Sequence, residues 1–232
     1  MTLGTLPQAI LVAHGAPADP IPQERWMQAL AARVRMWRPG WRIAGTTLAL
    51  PGALEEAAAR LPQAVILPFF MAEGWFTRQQ LPKLLRAAGL GAARQLPAFG
   101  HHPSLPDLLA QVAVRAAQAQ GLPETATLLL AAHGSQVSRA SASRTEELAV
   151  LLRALTRFHV VTGYVEEAPF LTDAARGLGP ALCLPLFATR AGHVAEDVPA
   201  ALTEAGFTGP LLPAIGEHAD VARLIADSLS ET

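Results

Sequence analysis

The sequence predicts an α/β protein made of two tandem, doubly wound parallel-sheet lobes related by internal duplication. Three repeated segments carry this reading. Ile10-Leu11-Val12-Ala13-His14-Gly15 returns as Leu129-Leu130-Ala131-Ala132-His133-Gly134. Leu67-Pro68-Phe69-Phe70 returns as Leu184-Pro185-Leu186-Phe187, each followed fourteen residues after its proline by another, Pro82 or Pro199. Pro97-Ala98-Phe99-Gly100-His101-His102 returns as Pro213-Ala214-Ile215-Gly216-Glu217-His218. The order is kept at a shift of about 116–119 residues, far longer than a solenoid period. Two similar lobes imply a cleft.

Each half opens with a short apolar run, 9–13 and 127–132, of the kind that forms a buried parallel strand. Amphipathic helices follow over 22–37 and 141–157. Second strands are expected at 42–50 and 159–166, and short helices at 54–60 and 171–176. Third strands run over 64–69 and 181–187, before proline-bounded helices that begin near Gln79 and Glu196. A fourth strand, near 93–96 and 209–212, leads into helices over 105–120 and 221–229. Strand–helix alternation of this kind gives a parallel sheet covered on both faces. Gly121-Leu122-Pro123 breaks the chain between the repeats, so the lobes are expected to be 1–121 and 125–232.

Composition narrows the functional classes. Hydrophobic residues make up 51% of the chain and charged ones 16%, which fits a well-buried soluble protein rather than a disordered one. No apolar run reaches the roughly 20 residues of a membrane span, and the N-terminus lacks a signal-like pattern. A net charge of −1 leaves no footprint for nucleic acid or an acidic membrane. Cys183 is the single cysteine, so no internal disulfide forms, as suits the cytoplasm.

Ligands of open α/β sheets bind beyond the carboxyl ends of the strands. His14, His133, Glu166 and His193 are all expected at or just past such ends. The halves differ there: the second has His133, Glu166 and His193, whereas the first has His14, with Leu50 and Phe76 aligned opposite the other two. Two imidazoles and a carboxylate suit a borderline divalent ion such as cobalt, iron, nickel or zinc. They also accept protons, a combination useful for placing a metal in a ligand that must lose two N–H protons. Apolar residues in the first half could wall a flat macrocycle. Neither a P-loop, a Gly-x-Gly-x-x-Gly pattern nor a Gly-x-Ser-x-Gly elbow is present.

Strand–His-Gly, then Glu166-x-x-Pro169, Leu184-Pro185-Leu186-Phe187, Gly192-His193-Val194, Asp197-Val198-Pro199 and Pro213-x-x-Gly216-x-His218 together resemble the class II tetrapyrrole chelatases. The nearest group is the CbiX-type sirohydrochlorin cobaltochelatases, with the related sirohydrochlorin ferrochelatases. The resemblance covers essentially the whole chain and is most specific over 185–199. It implies paired flavodoxin-like lobes and insertion of Co²⁺ or Fe²⁺ into a sirohydrochlorin-type ring in cobalamin or siroheme biosynthesis. His133, His193 and Glu166 are then the metal-binding and catalytic residues. His14, Trp75 and Phe76 would meet the tetrapyrrole, and Arg139 and Arg190 could clamp its carboxylates. The metal is a substrate and no permanently bound cofactor is implied; the protein would work as a monomer or homodimer. A tetrapyrrole or metal carrier without catalysis on the same fold is the alternative, and an unrelated transferase or hydrolase a more distant one.

Overall fold

In the computed structural model, residues 6–189 and 196–231 are described. The first half folds as β1 (Gln8–Ala13), α1 (Pro20–Trp37), β2 (Arg42–Thr47), α2 (Ala53–Arg60), β3 (Val65–Pro68), α3 (Leu81–Ala87) and α4 (Leu105–Ala119). The second contributes β4 (Thr127–Ala132), α5 (Ala140–Leu155), β5 (His159–Tyr164), α6 (Leu171–Ala175), β6 (Ala181–Pro185), α7 (Asp197–Glu204) and α8 (Val221–Ser228). The strands form two parallel sheets with the orders β2-β1-β3 and β5-β4-β6. The doubly wound α/β class and its duplication are as the repeats predict.

The central strands β1 and β4 pair on both sides and carry no exposed residue, which explains their unbroken apolar sequence. One sheet packs Ile10, Val12 and Ile66 under Leu54, Leu81 and Leu85. The other packs Leu129, Ala131 and Cys183 under Leu171, Val198 and Leu202. Among the described residues no helix is long and apolar enough to cross a membrane.

Two expectations need correction. The fourth strand is reduced in each half to an isolated bridge, Ile66 with Gln95 and Cys183 with Leu211. Ile66 and Cys183 each donate one backbone bond and accept one there. The next donors on β3 and β6 in this parallel pattern would be residues 68 and 185, and Pro68 and Pro185 have no N–H to offer Leu96 O and Leu212 O. The division of the chain also differs from 1–121 and 125–232. The compact units are 1–102 with 219–232, and 103–218. Helix α4 thus belongs with the second sheet, against α5 and β6, while α8 packs on α1 of the first. There Arg38 Nε donates to Ala226 O at 2.8 Å. Each repeat gives its last helix to the other unit.

The third repeated segment has a packing reason. Gly100 N donates to Phe70 O (2.9 Å) and Gly216 N to Phe187 O (3.0 Å). A Cβ on either glycine would collide with a backbone carbonyl, Met71 O or Ala188 O. The motif therefore braces the loop that leaves β3 or β6.

Candidate functional site

In the second unit the buried strand β4 ends at Ala132, and His133 is the first side chain past it, 40% exposed. Gly134 then turns the chain at φ +71°. A Cβ there would stand 2.9 Å from both Tyr164 Cβ and Glu167 Cγ, so the turn requires glycine on conformational and steric grounds alike. His133 Nδ1 lies 3.0 Å from Gly134 O. A carbonyl only accepts, so Nδ1 carries the proton and the neutral ring has its lone pair on Nε2.

The backbone brings an acid to this imidazole. Val165 N donates to Ala132 O (3.1 Å) and Glu166 N to His133 O (2.9 Å), extending the β4–β5 pairing past the strand ends. The Glu166 carboxylate, also 40% exposed, places Oε2 3.6 Å from His133 Nδ1. Beneath it Tyr164 is buried with its hydroxyl 3.5 Å from Ala142 O. Burial pushes the Tyr164 phenol above its ordinary range, so it remains a proton donor rather than an anion.

Glu167 does something different. Its Oε1 accepts from Ser135 N (2.9 Å) and its Oε2 from Arg139 Nη1 (3.2 Å). Arg139 Nη2 in turn donates to Glu146 Oε1 at 2.8 Å. The guanidinium expected to clamp a substrate carboxylate is thus spread across two carboxylates of the protein itself. His193 and Arg190 lie outside the described residues. Among those described, no three His, Cys, Asp or Glu side chains are grouped as a metal site.

The first unit repeats the backbone and changes the chemistry. His14 Nδ1 lies 2.9 Å from Gly15 O, which gives the same tautomer. No acid follows. Leu48 N donates to Ala13 O as Val165 N does to Ala132 O, so the register sets Ala49, one residue before Leu50, opposite Glu166. Phe76 stands edge-to-face with His14, with ring centroids 4.4 Å apart, and also meets Trp75 at 5.2 Å and Phe70 at 6.4 Å. Phe76 starts a π-helical turn, Phe76–Gln80, where an α-helix beginning near Gln79 was expected. Buried Thr77 fixes that turn, accepting from Gly74 N and donating to Gly74 O. Trp75 and Phe76 are left 54% and 37% exposed.

Residues 127–232 match the family model for CbiX. The solved structure of CbiX, the terminal enzyme for biosynthesis of siroheme in denitrifying bacteria, is 47% identical and superposes with a TM-score of 0.90. That match spans 97% of this chain and 99% of the other. The chain belongs to the CbiX family. SirB from Bacillus subtilis, solved with Fe³⁺, has a TM-score of 0.73 at 16% identity, over 97% of this chain and 95% of its own. DR2241 from Deinococcus radiodurans, a multi-domain protein with structural similarity to chelatases, has 0.68 at 20%, over 96% and 54%. At those identities the likeness is one of fold. No curated protein matches the chain.

In this CbiX family member two acids went unassigned at the sequence level. Glu167 is one. The other is Glu24, on the buried face of α1, whose Oε2 accepts from Thr47 N (2.7 Å) and Thr47 Oγ1 (2.9 Å). Its place in line with buried Met27, Ala31 and Val34 was the available signal, since an acid on an apolar helix stripe needs internal partners.

Proposed function

We propose that the protein is a chelatase inserting a divalent metal into a sirohydrochlorin-type tetrapyrrole, with His133 and Glu166 as the working pair. One M²⁺ replaces two pyrrole N–H protons, so the site must offer donors to the ion and acceptors to the protons. The observation that carries the reading is the pairing of an imidazole, its lone pair on Nε2, with a carboxylate 3.6 Å from its other nitrogen. Nε2 can hold the metal or take a proton. Once it takes one, the imidazolium is stabilised by the Glu166 charge 3.6 Å from Nδ1, modestly because both groups are 40% exposed, while Nδ1–H stays on Gly134 O.

Two donors fall short of the three or four that a catalytic first-row ion takes from protein. We assign His193, in the stretch between β6 and α7, as the third. The 47% identity to a siroheme enzyme supports Fe²⁺, with Co²⁺ as the other ion this donor set accepts. Trp75 and Phe76, with His14 among them, offer aromatic surface suited to the flat ring, and Arg190 is the remaining arginine assigned to its carboxylates.

The test is anaerobic absorbance of the protein mixed with sirohydrochlorin and Fe²⁺ or Co²⁺. Metallation accelerated over a protein-free control, and lost in His133→Ala and His193→Ala, is the expected result. A pigment shift without acceleration would instead make the protein a carrier, a reading that Ala49 in place of an acid beside the His14 turn favours. No affinity for either partner would return the question to an unrelated transferase or hydrolase on this fold.

A further inference from the structure

We infer that Glu167, not Arg139 alone and not its neighbour Glu166, is the positioning residue of the site, and that Arg139 is its latch rather than a substrate clamp. The assignment rests on the reading of His133 as the working imidazole. Three hydrogen bonds to two consecutive peptide groups fix the turn that carries this ring. Gly134 N donates to Ser141 Oγ (3.3 Å), Gly134 O accepts from His133 Nδ1 (3.0 Å), and Ser135 N donates to Glu167 Oε1 (2.9 Å). Glu167 also fills the space beside Gly134, where in the first unit Ala49 and Thr47 stand beside Gly15.

The two adjacent acids divide the work by burial. The Glu166 side chain is 40% exposed and faces the imidazole, whereas that of Glu167 is 12% exposed and faces the backbone. A largely buried carboxylate needs a counter-charge, and Arg139 supplies it at 3.2 Å while its other nitrogen is anchored on Glu146 at 2.8 Å. Ser135 thereby keeps its amide bonded, Gly134 keeps φ +71°, and Gly134 O stays where Nδ1–H can reach it. The consequence at the reacting atom is a lone pair held on Nε2. If the Ser135 bond is lost, Gly134 O swings away, Nδ1–H keeps only the longer approach to Glu166 Oε2 at 3.6 Å, and the ring is no longer held in one tautomer.

Glu167→Leu, which keeps the bulk and removes the acceptor, and Arg139→Gln test this on the intact chain. Long-range ¹H–¹⁵N spectra of the histidine rings, with His133→Ala to identify the signal, report the tautomer without any turnover. The expected result is one Nδ1–H tautomer at His133 in the parent and a mixture in both variants. Chelation should fall about 10–100-fold in kcat with KM for the tetrapyrrole unchanged, the usual effect of losing a group that orients a metal-binding histidine. Glu167→Asp, too short for both bonds, should not rescue. A parent-like His133 signal together with parent-like kcat in well-folded Glu167→Leu would overturn the inference. If the parent never chelates but the tautomer still shifts, positioning stands and the proposed function falls.

Discussion

The two strand–His-Gly turns share a backbone and differ in what surrounds the imidazole. Both histidines follow a fully paired strand, and both place Nδ1 on the carbonyl of the next glycine, at 2.9 and 3.0 Å. Around His133 stand Glu166, Glu167 and Arg139. Around His14 stand Phe76, Trp75 and Phe70. Duplication preserved the way of presenting an imidazole while side chains on the neighbouring loops diverged toward charged groups in one copy and apolar contact in the other. The fold presents the histidine; the loops decide its use.

The largest effect expected concerns the way the copies exchange helices. Residues 125–232, the sequence repeat, lack α4, whereas 103–218 include it. Leu105, Leu108 and Leu109 of α4 are all buried. Three such side chains contribute roughly 5–9 kcal/mol at about 1.5–3 kcal/mol each, which rivals the whole stability of a small domain. Fragment 103–218 should therefore melt cooperatively by circular dichroism, and 125–232 should not. A cooperative transition in 125–232 would show that α4 is dispensable to the second sheet.

The histidines should separate next. His133→Ala should lower kcat by about 10²-fold or more, the range for removing a general acid–base group. His14→Ala should act mainly on KM, leaving kcat within about tenfold, as expected when a ground-state contact is lost. Equal losses of kcat in the two variants would erase the functional asymmetry. A converse experiment sharpens it: Ala49→Glu with Phe76→His puts an acid and a second imidazole beside His14. Titration with Co²⁺ alone, followed by its visible absorption, should then reveal an additional binding equivalent over the parent protein. No gain would mean that the first unit lacks more than two donors.

Much of this asymmetry was legible in the sequence because it resides in residue types at strand ends, and strand ends are marked by apolar runs closing on His-Gly. The repeats at Gly100 and Gly216 were also legible, and their cause is a backbone approach with no room for a Cβ. The helix exchange was not. An amphipathic stripe on α4 says that one face is buried and nothing about which sheet buries it. The fourth strands were misjudged because Pro68 and Pro185, on the strands they would pair with, lack the N–H that would continue a ladder apolar residues alone suggest. Glu167 and Arg139 escaped for a third reason. In Glu166-Glu167 only the exposure of each carboxylate and its partners distinguishes an acid facing the imidazole from one bracing the turn, and an arginine near a site reads as a clamp until its own carboxylates are seen.

The smallest effect tests the copies in their cores. Ile66 in β3 and Cys183 in β6 occupy matching bridge positions, both fully buried. Burial pushes the Cys183 thiol up to about 12. An unfolded thiol ionises near 8.5, so below that pH both states hold the proton and the residue adds no pH dependence. Above it the unfolded chain releases its proton while the folded chain keeps it, so stability declines as pH rises toward 12, by about 1.4 kcal/mol per unit at most. Cys183→Val keeps a small buried hydrophobe and removes the titration. Urea midpoints compared at pH 8 and 10 should fall less in the variant than in the parent, and the parent thiol should resist iodoacetamide until urea unfolds the chain. Fast labelling of the native protein at pH 8 would mean that β6 opens locally, and that the second sheet, which presents His133, is less secure there than burial implies.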